Sequence, residues 1–536
     1  MKARRIKSKF SGKTTFGRQC AKKDKMSQCF AKIRLPQKRR AKKSGVAKRG
    51  ARGYNGKKSA PITKRRKNIF AKREALDMHL STAHLIGLVA TLLAITGIGV
   101  WSGRRVASAE DFATGGSRAG TGIVIGSLMG TLVGGASTIG TAQLAFTNGF
   151  SALWFTLGAG LGCLVLAIFF VRPLRHSGHK TLQQMVAAEY GPAAGLTSSL
   201  LGILGTMLSI VAQVLSAMAL MGALLPLSPF ACALLSVALM MCYVVFGGVW
   251  GAGLVGTVKS VLLCLAAALG GLLALSQAGG WHALDAALPG YLNLFGRGVW
   301  IDGGAGLSLV LGVLSTQTYA QSVLAGRTDR VAVSGALWSA ALIPPIGLGA
   351  ALVGMVMRMR HPDMTPAQAF PRFVLEFMPD WLGGVVLATL LITVLVAGAG
   401  LALGVGTIAS QDVYRRLAKD VSDRGSLLVT RGAIALVLAL SLLFTGERLA
   451  SAILNWSFMS MALRGAMIFA PLCGALFAKG KVDARFALAA LVAGPLTVLA
   501  VKLLCNPSFD PLFVGVAVAA ALMLMGALCR RRQVQK

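Results

Sequence analysis

The chain has 536 residues, 55% of them hydrophobic and 14% charged, with a mean hydropathy of +0.66. A soluble globular protein carries about 25% charged residues. Here apolar stretches recur from residue 80 to residue 529, each near the ~20 residues that span a bilayer. The composition therefore excludes a soluble enzyme and points to an all-α polytopic membrane protein. The apolar runs are continuous, without the period-2 alternation of a membrane β-barrel.

The formal net charge of +38 is unevenly spread: residues 1–77 hold 28 Lys+Arg and 3 Asp+Glu, a net of +25. Clusters such as Lys38-Arg39-Arg40 and Lys64-Arg65-Arg66-Lys67 sit among few apolar residues, so this stretch is expected to be disordered. It has no apolar core of the kind a secretory signal needs. It reads either as an arm for nucleic acid or anionic lipid, or as the product of a start codon placed too early. Met78 stands immediately before the first apolar run and is the preferred start. Residues 78–536 then form one membrane-spanning domain, for which no nucleic acid and no obligate protein partner is expected.

Thirteen spanning helices are expected, at about 80–101, 120–146, 150–171, 196–225, 229–247, 250–277, 303–325, 333–357, 381–411, 427–446, 451–477, 485–504 and 509–529. Basic residues collect in alternate connections, as at Arg172/Arg175/Lys180, Arg415/Arg416/Lys419 and Arg530–Arg532. The positive-inside rule then puts the C-terminus in the cytoplasm of a cell (inner) membrane and, with an odd number of spans, the N-terminus outside. The nine cysteines show no CxxC and no paired spacing, so neither a disulfide framework nor a metal site is expected.

The second span is the most unusual. Apolar runs flank Gly134-Gly135, and Ser137, Thr138 and Thr141 follow. Lipid does not tolerate unpaired backbone groups, so a helix broken at mid-membrane survives only where it lines a cavity. Such discontinuous helices carry the substrate and ion sites of secondary transporters. The seventh span holds a polar cluster, Ser315, Thr316, Gln317, Thr318, Tyr319 and Gln321. It is either a polar face packed inside the bundle or a second break facing the first. The two segments lie five helices apart, the spacing an inverted five-helix repeat produces, with helices 2–6 and 7–11 as its halves.

At these residues the chain resembles the sodium:solute symporter family. The resemblance includes Glu110-Asp111-Phe112, Gly134–Gly140 (GGASTIG), Trp154-Phe155, Val171–Arg175 (VRPLR) and Gly247-Gly248-Val249-Trp250. It continues with Tyr319–Ala325 (YAQSVLA), Pro379–Gly383 (PDWLG) and Gln411–Arg416 (QDVYRR), and covers about residues 80–480. It implies the five-plus-five inverted-repeat fold of the leucine transporter, with solute bound at both breaks. By that resemblance Ser137, Thr138, Thr316, Gln317 and Tyr319 face the solute. Hydroxyls and amides suit a small polar organic molecule, uncharged or zwitterionic.

The resemblance also implies a sodium site between backbone carbonyls near the first break and two hydroxyl side chains on the eighth core helix. The carbonyl positions fall on Gly130 and Val133, and the hydroxyl positions on Val396 and Ala397. Neither of the latter can ligate Na⁺, a hard cation that takes oxygen ligands. The family's Thr-Asp pair after the fifth span is here Val255-Gly256, its following Gln is Lys259, and the Arg of its QR pair is Ser322. An ionisable residue inside a span is functional by default, so Lys259 either replaces the lost ion or snorkels to the cytoplasmic interface. In the first case coupling to Na⁺ is doubtful. Transport is then proton-coupled, if the amine gives up and regains a proton in each cycle, or uncoupled. No cofactor is expected.

The expected activity is secondary active transport of a small-molecule solute across the bilayer by alternating access. The alternative is a membrane sensor built on the same scaffold. The short segment Arg530–Lys536 after the last span argues against a fused catalytic domain. No nucleotide-binding loop, HExxH or nucleophile elbow supports an enzyme, and no carbonyl filter or charged ring supports a channel.

Overall fold

A computed structural model of the chain describes residues 80–103, 118–418, 422–446, 453–505 and 507–534. The expectations for residues 1–77, and the Glu110–Phe112 part of the family resemblance, lie outside these segments. The described residues are helical, with one isolated bridge as their only extended pairing.

Local sequence sets the helix ends. Helix α1 (Thr82–Gly103) precedes the first broken span, which consists of α2 (Thr121–Leu132), a π-helical turn at Ala136–Gly140 and α3 (Thr141–Asn148). At Gly149 the chain adopts φ 60°, a conformation that favours glycine, and turns into α4 (Trp154–Val165). Helix α5 (Pro192–Leu224) begins on Pro192 behind Gly191 at φ 90°. Helix α6 (Pro229–Ala278) is capped by the Ser228 hydroxyl, which accepts from the Ala231 N–H, and ends at the left-handed Gly279.

The second broken span is α7 (Val299–Leu314) followed by α8 (Gln317–Leu324), bent by 50° at Ser315-Thr316. Then come α9 (Asp329–Arg360), α10 (Asp380–Ile408), α11 (Asp423–Ser441), α12 (Ile453–Phe477), α13 (Ala484–Leu504) and α14 (Leu512–Val534). The tips of the two broken spans meet: Ala119 and Gly326 form the isolated bridge, with Ala119 N–H donating to Ala325 and Arg327 N–H donating to Ala119.

The count of thirteen spans is not reproduced. Ten described helical stretches are long and apolar enough to cross a membrane, or eleven when α7 and α8 are one bent span. The expected spans 229–247 and 250–277 lie in the one helix α6, because the glycines between them do not stop a helix; its part Gly253–Ala278 is long enough to cross, and Pro229–Tyr243 counts as a shorter apolar helix. A glycine costs roughly 1 kcal/mol in a helix relative to alanine, whereas a proline costs about 3. The expected second span splits instead: Thr121–Leu132 stands apart as a short apolar helix, and Ala136–His176 counts as one stretch with the third span.

Burial separates the centre of the bundle from its rim. The apolar window of α10 is 94% buried and that of α1 only 11%, so α10 runs through the middle and α1 lies against the outside. Helix α6 packs on α1, α2, α9 and α10, and α12 packs on α5, α7 and α13. Exposed Leu93, Leu272, Leu443 and Leu503 form part of a surface suited to lipid tails. Small residues bring the helices together. A Cβ on Gly126 would collide with Thr257 and Gly253 of α6, and one on Gly256 with the Gly126 carbonyl.

Candidate functional site

The break in the first span is made by Val133, whose extended backbone (φ −91°, ψ 95°) ends α2, and by Gly134-Gly135. No larger residue fits at these two glycines. A Cβ on Gly134 would run into the Gln213 amide and lie 2.7 Å from the Ala397 Cβ, and one on Gly135 would collide with Ser216. Breaking a helix frees backbone groups that lipid cannot satisfy, and here three of them have side-chain partners on other helices. The Gly135 N–H donates to Gln213 Oε1 at 2.7 Å. The carbonyls of Gly130 and Val133 accept from Lys259 Nζ at 2.6 and 3.1 Å.

Lys259 takes a third carbonyl, that of Thr393 on α10, at 3.1 Å. A protonated amine has three hydrogens and no acceptor, so three carbonyls use it completely. The side chain is fully buried and does not snorkel to the interface. Two of its acceptors belong to the C-terminal turn of α2, where the partial negative charge of the helix favours a cation. The close approach of α2 and α6 at Gly126 and Gly256 sets this distance. An acidic side chain at position 256 would have to pass through the Gly126 carbonyl.

The two hydroxyl positions implied by the family resemblance are apolar and packed. Val396 joins a cluster with Ile95, Val255 and Ile392, and Ala397 abuts the break at Gly134. One turn earlier, the hydroxyl of Thr393 is buried without a hydrogen-bond partner. Lys259, Gly130, Val133 and Thr393 are thus brought together around one ammonium. Val396 and Ala397 offer it no oxygen from their side chains.

The expected solute residues fall into separate networks. Thr138 donates to the freed Gly134 carbonyl at 3.1 Å, and Ser137 to that of Leu132 at 3.5 Å. At the second break the Thr316 hydroxyl donates to the Gly312 carbonyl and accepts from Arg464 Nη1 at 2.7 Å. The Gln317 amide accepts from the Leu182 N–H at 2.9 Å and donates to the Lys180 carbonyl at 3.2 Å. It thereby ties α8 to the start of the short helix Leu182–Tyr190. Tyr319 is buried beside these groups. A direct link between the broken spans comes from Ser127 on α2 and Ser322 on α8, whose hydroxyls lie 2.8 Å apart.

Three residues at these networks were not singled out from the sequence: Gln213, Thr393 and Arg464. Arg464 had a clear signal. It interrupts the apolar run 451–477, and the rule that marks Lys259 marks it equally. Gln213 is a single amide in the run 196–225 and is indistinguishable there from bundle packing. Among the described residues no group of three or more His, Cys, Asp or Glu could hold a metal ion.

The profile of the sodium:solute symporter family fits residues 112–494. The chain is 26% identical over 381 residues to the uncharacterized symporter YwcA of Bacillus subtilis (strain 168), covering 66% of this chain and 73% of that one. It is 25% identical over 287 residues to high-affinity choline transporter 1 of Drosophila melanogaster, covering 51% of this chain. The aligned part spans 46%, about half, of that transporter's length. Among solved structures, a Na⁺-coupled sialic acid symporter in its substrate-bound outward-open state superposes with a TM-score of 0.72 at 17% identity, over 84% of this chain and 98% of that one. Mhp1, a nucleobase-cation-symport-1 family transporter with bromovinylhydantoin bound, gives 0.54 at 11% identity, over 79% and 96%. Both have the inverted-repeat fold of the leucine transporter, which is therefore the fold of this chain.

Proposed function

The chain belongs to the sodium:solute symporter family, and from that membership we propose that it is a secondary active transporter in which a lysine replaces the coupling sodium. It carries a small polar organic solute across the inner membrane by alternating access around the two breaks, with its C-terminus in the cytoplasm. Ser137, Thr138, Thr316, Gln317 and Tyr319 line the route of the solute.

One observation carries this reading: Lys259 Nζ donates to Gly130, Val133 and Thr393 together. A tethered monovalent cation fills the place between the first break and α10, and the hydroxyls that would serve Na⁺ are the apolar Val396 and Ala397. An ammonium also differs from a metal ion in what it can release. Protonated, it donates to all three carbonyls and holds α2, α6 and α10 together. Deprotonated, it has two hydrogens, so one carbonyl loses its donor. Loss of the proton therefore loosens the contact that holds the break against α10, which gives proton coupling a physical route. If the amine keeps its proton throughout, the same cage yields an uncoupled carrier.

Uptake into proteoliposomes tests the transport reading. Accumulation of a solute that stabilises the protein supports it. Binding without accumulation makes the chain a membrane sensor instead.

A further inference from the structure

Arg464 is the largest fully buried side chain of the described residues, in the middle of the apolar helix α12. Among the described residues its guanidinium is held only by neutral groups. Nη1 donates to Thr316 Oγ1 at 2.7 Å, and Nε donates to the Ser460 carbonyl at 3.2 Å. Nη2 donates to the hydroxyls of Ser209 and Ser460 at 2.9 and 3.1 Å and approaches the Met461 sulfur at 3.2 Å. The ion pairs of the described residues all lie elsewhere, at Asp302, Asp329, Glu376 and Asp380. The buried cation of the other break, Lys259, is likewise held by carbonyls alone among the described residues.

A guanidinium keeps its proton in proteins. Hydroxyls answer its hydrogen bonds but not its charge, and a buried charge without a counter-charge is costly. The arrangement is nevertheless built for it. A Cβ on Gly205 would lie 2.8 Å from Arg464 Cγ, so a glycine on the neighbouring α5 makes room for this side chain, and Gly312 on α7 does the same for Met461, whose sulfur Nη2 approaches.

The surroundings favour an anion at the same place. Thr316 is the residue before α8, so the guanidinium sits at the positive end of a half-helix. Next to it, the Ser315 hydroxyl is buried and has no hydrogen-bond partner. Nη1 carries two hydrogens and spends one on Thr316. A carboxylate matches a guanidinium in shape and charge, and can exchange places with the hydroxyls that now hold it.

We propose that Arg464 is the anion-recognising residue of the solute site, and that the transported solute is an organic carboxylate paired with its guanidinium at the break between α7 and α8. This rests on the reading of the breaks as the solute site, and it narrows the solute from a small polar molecule to an acid.

The test uses the purified full-length chain in detergent, and binding rather than transport, so that failure of the transport reading and failure of this one are separable. Thermal unfolding is followed with a series of monocarboxylates from acetate to benzoate, each set against its primary amide. At least one carboxylate is expected to raise the unfolding midpoint while its amide does not. Its affinity should fall at least tenfold in Arg464→Gln, and less in Arg464→Lys, which keeps the charge but loses the fork. Equal stabilisation by acid and amide, no stabilisation by any acid of the series, or undiminished acid binding by a folded Arg464→Gln would each overturn the proposal. If neither variant folds, the acid-against-amide comparison on the wild-type chain decides alone.

Discussion

The ammonium of Lys259 and the carbonyl oxygen of Gly130 lie 2.6 Å apart, inside a helical bundle and away from any bulk water. They join α6 to the turn of α2 where the helix stops. The same ammonium reaches Val133 across the break and Thr393 on α10, so one side chain fastens three helices at the point where the fold is interrupted.

A sodium site should be recoverable by reversing the substitutions. In a variant carrying Lys259→Ala, Val396→Thr and Ala397→Ser, the three carbonyls remain and two oxygen ligands return. Na⁺ is then expected to raise the unfolding midpoint relative to K⁺, as a ligand that binds only the folded state does. The wild-type chain should respond equally to the two salts.

The approach of α2 to α6 leaves no room at Gly256. Gly256→Ala puts a methyl group against the Gly126 carbonyl, an overpacking that costs about 1–3 kcal/mol. Gly256→Asp adds a buried carboxylate and should be worse. Both variants are expected to unfold at lower temperature than Gly97→Ala, a change on α1 where a Cβ meets nothing within 4 Å.

Gln213 accepts from the N–H of Gly135, which the first break frees. Gln213→Leu fills similar volume but leaves that donor buried and unpaired, at a cost of about 1–3 kcal/mol. Gln213→Glu restores an acceptor and should recover part of the loss. Thermal unfolding of the two variants side by side checks the order.

The short helix Leu182–Tyr190 is held by two elements of the second repeat, α8 and the turn that follows α10. Thr181 caps it through the Gln184 N–H and donates to Asp412 Oδ1 at 2.8 Å, while Gln317 grips its first turn. Thr181→Val removes the cap, worth about 1 kcal/mol, and one contact of Asp412 with it. Faster hydrogen exchange at residues 182–190, with little change in α10, is the expected outcome.

Much of this was legible in the sequence, and for physical reasons. Two adjacent glycines followed by hydroxyls inside an apolar run have few uses other than a broken helix, and a lysine in such a run needs a partner. The carbonyl positions at Gly130 and Val133 needed the family resemblance, because backbone groups leave no mark in side-chain identity. Thr393 escaped for the same reason: its contribution to the cage is its carbonyl. Gln213 was hidden because one amide in a long apolar helix usually packs inside the bundle. The division of the helices was the least legible feature, since nothing between 229 and 278 is strong enough to end a helix. The contact of the Gln317 amide with the loop at 180–182 leaves no local signal, because the two are distant in sequence.

The central claim is that Lys259 stands in for the coupling ion. It is tested most directly by uptake of a stabilising solute into proteoliposomes in which Na⁺ is replaced throughout by N-methylglucamine, with and without an inward proton gradient, for the wild-type chain and for Lys259→Gln. Wild-type uptake is expected to survive the loss of Na⁺, and Lys259→Gln to fall at least tenfold; a rise of wild-type uptake with the proton gradient that is lost in the variant marks proton coupling, and no rise marks the uncoupled carrier. Strict dependence of wild-type uptake on Na⁺, or unchanged transport by Lys259→Gln, would contradict it.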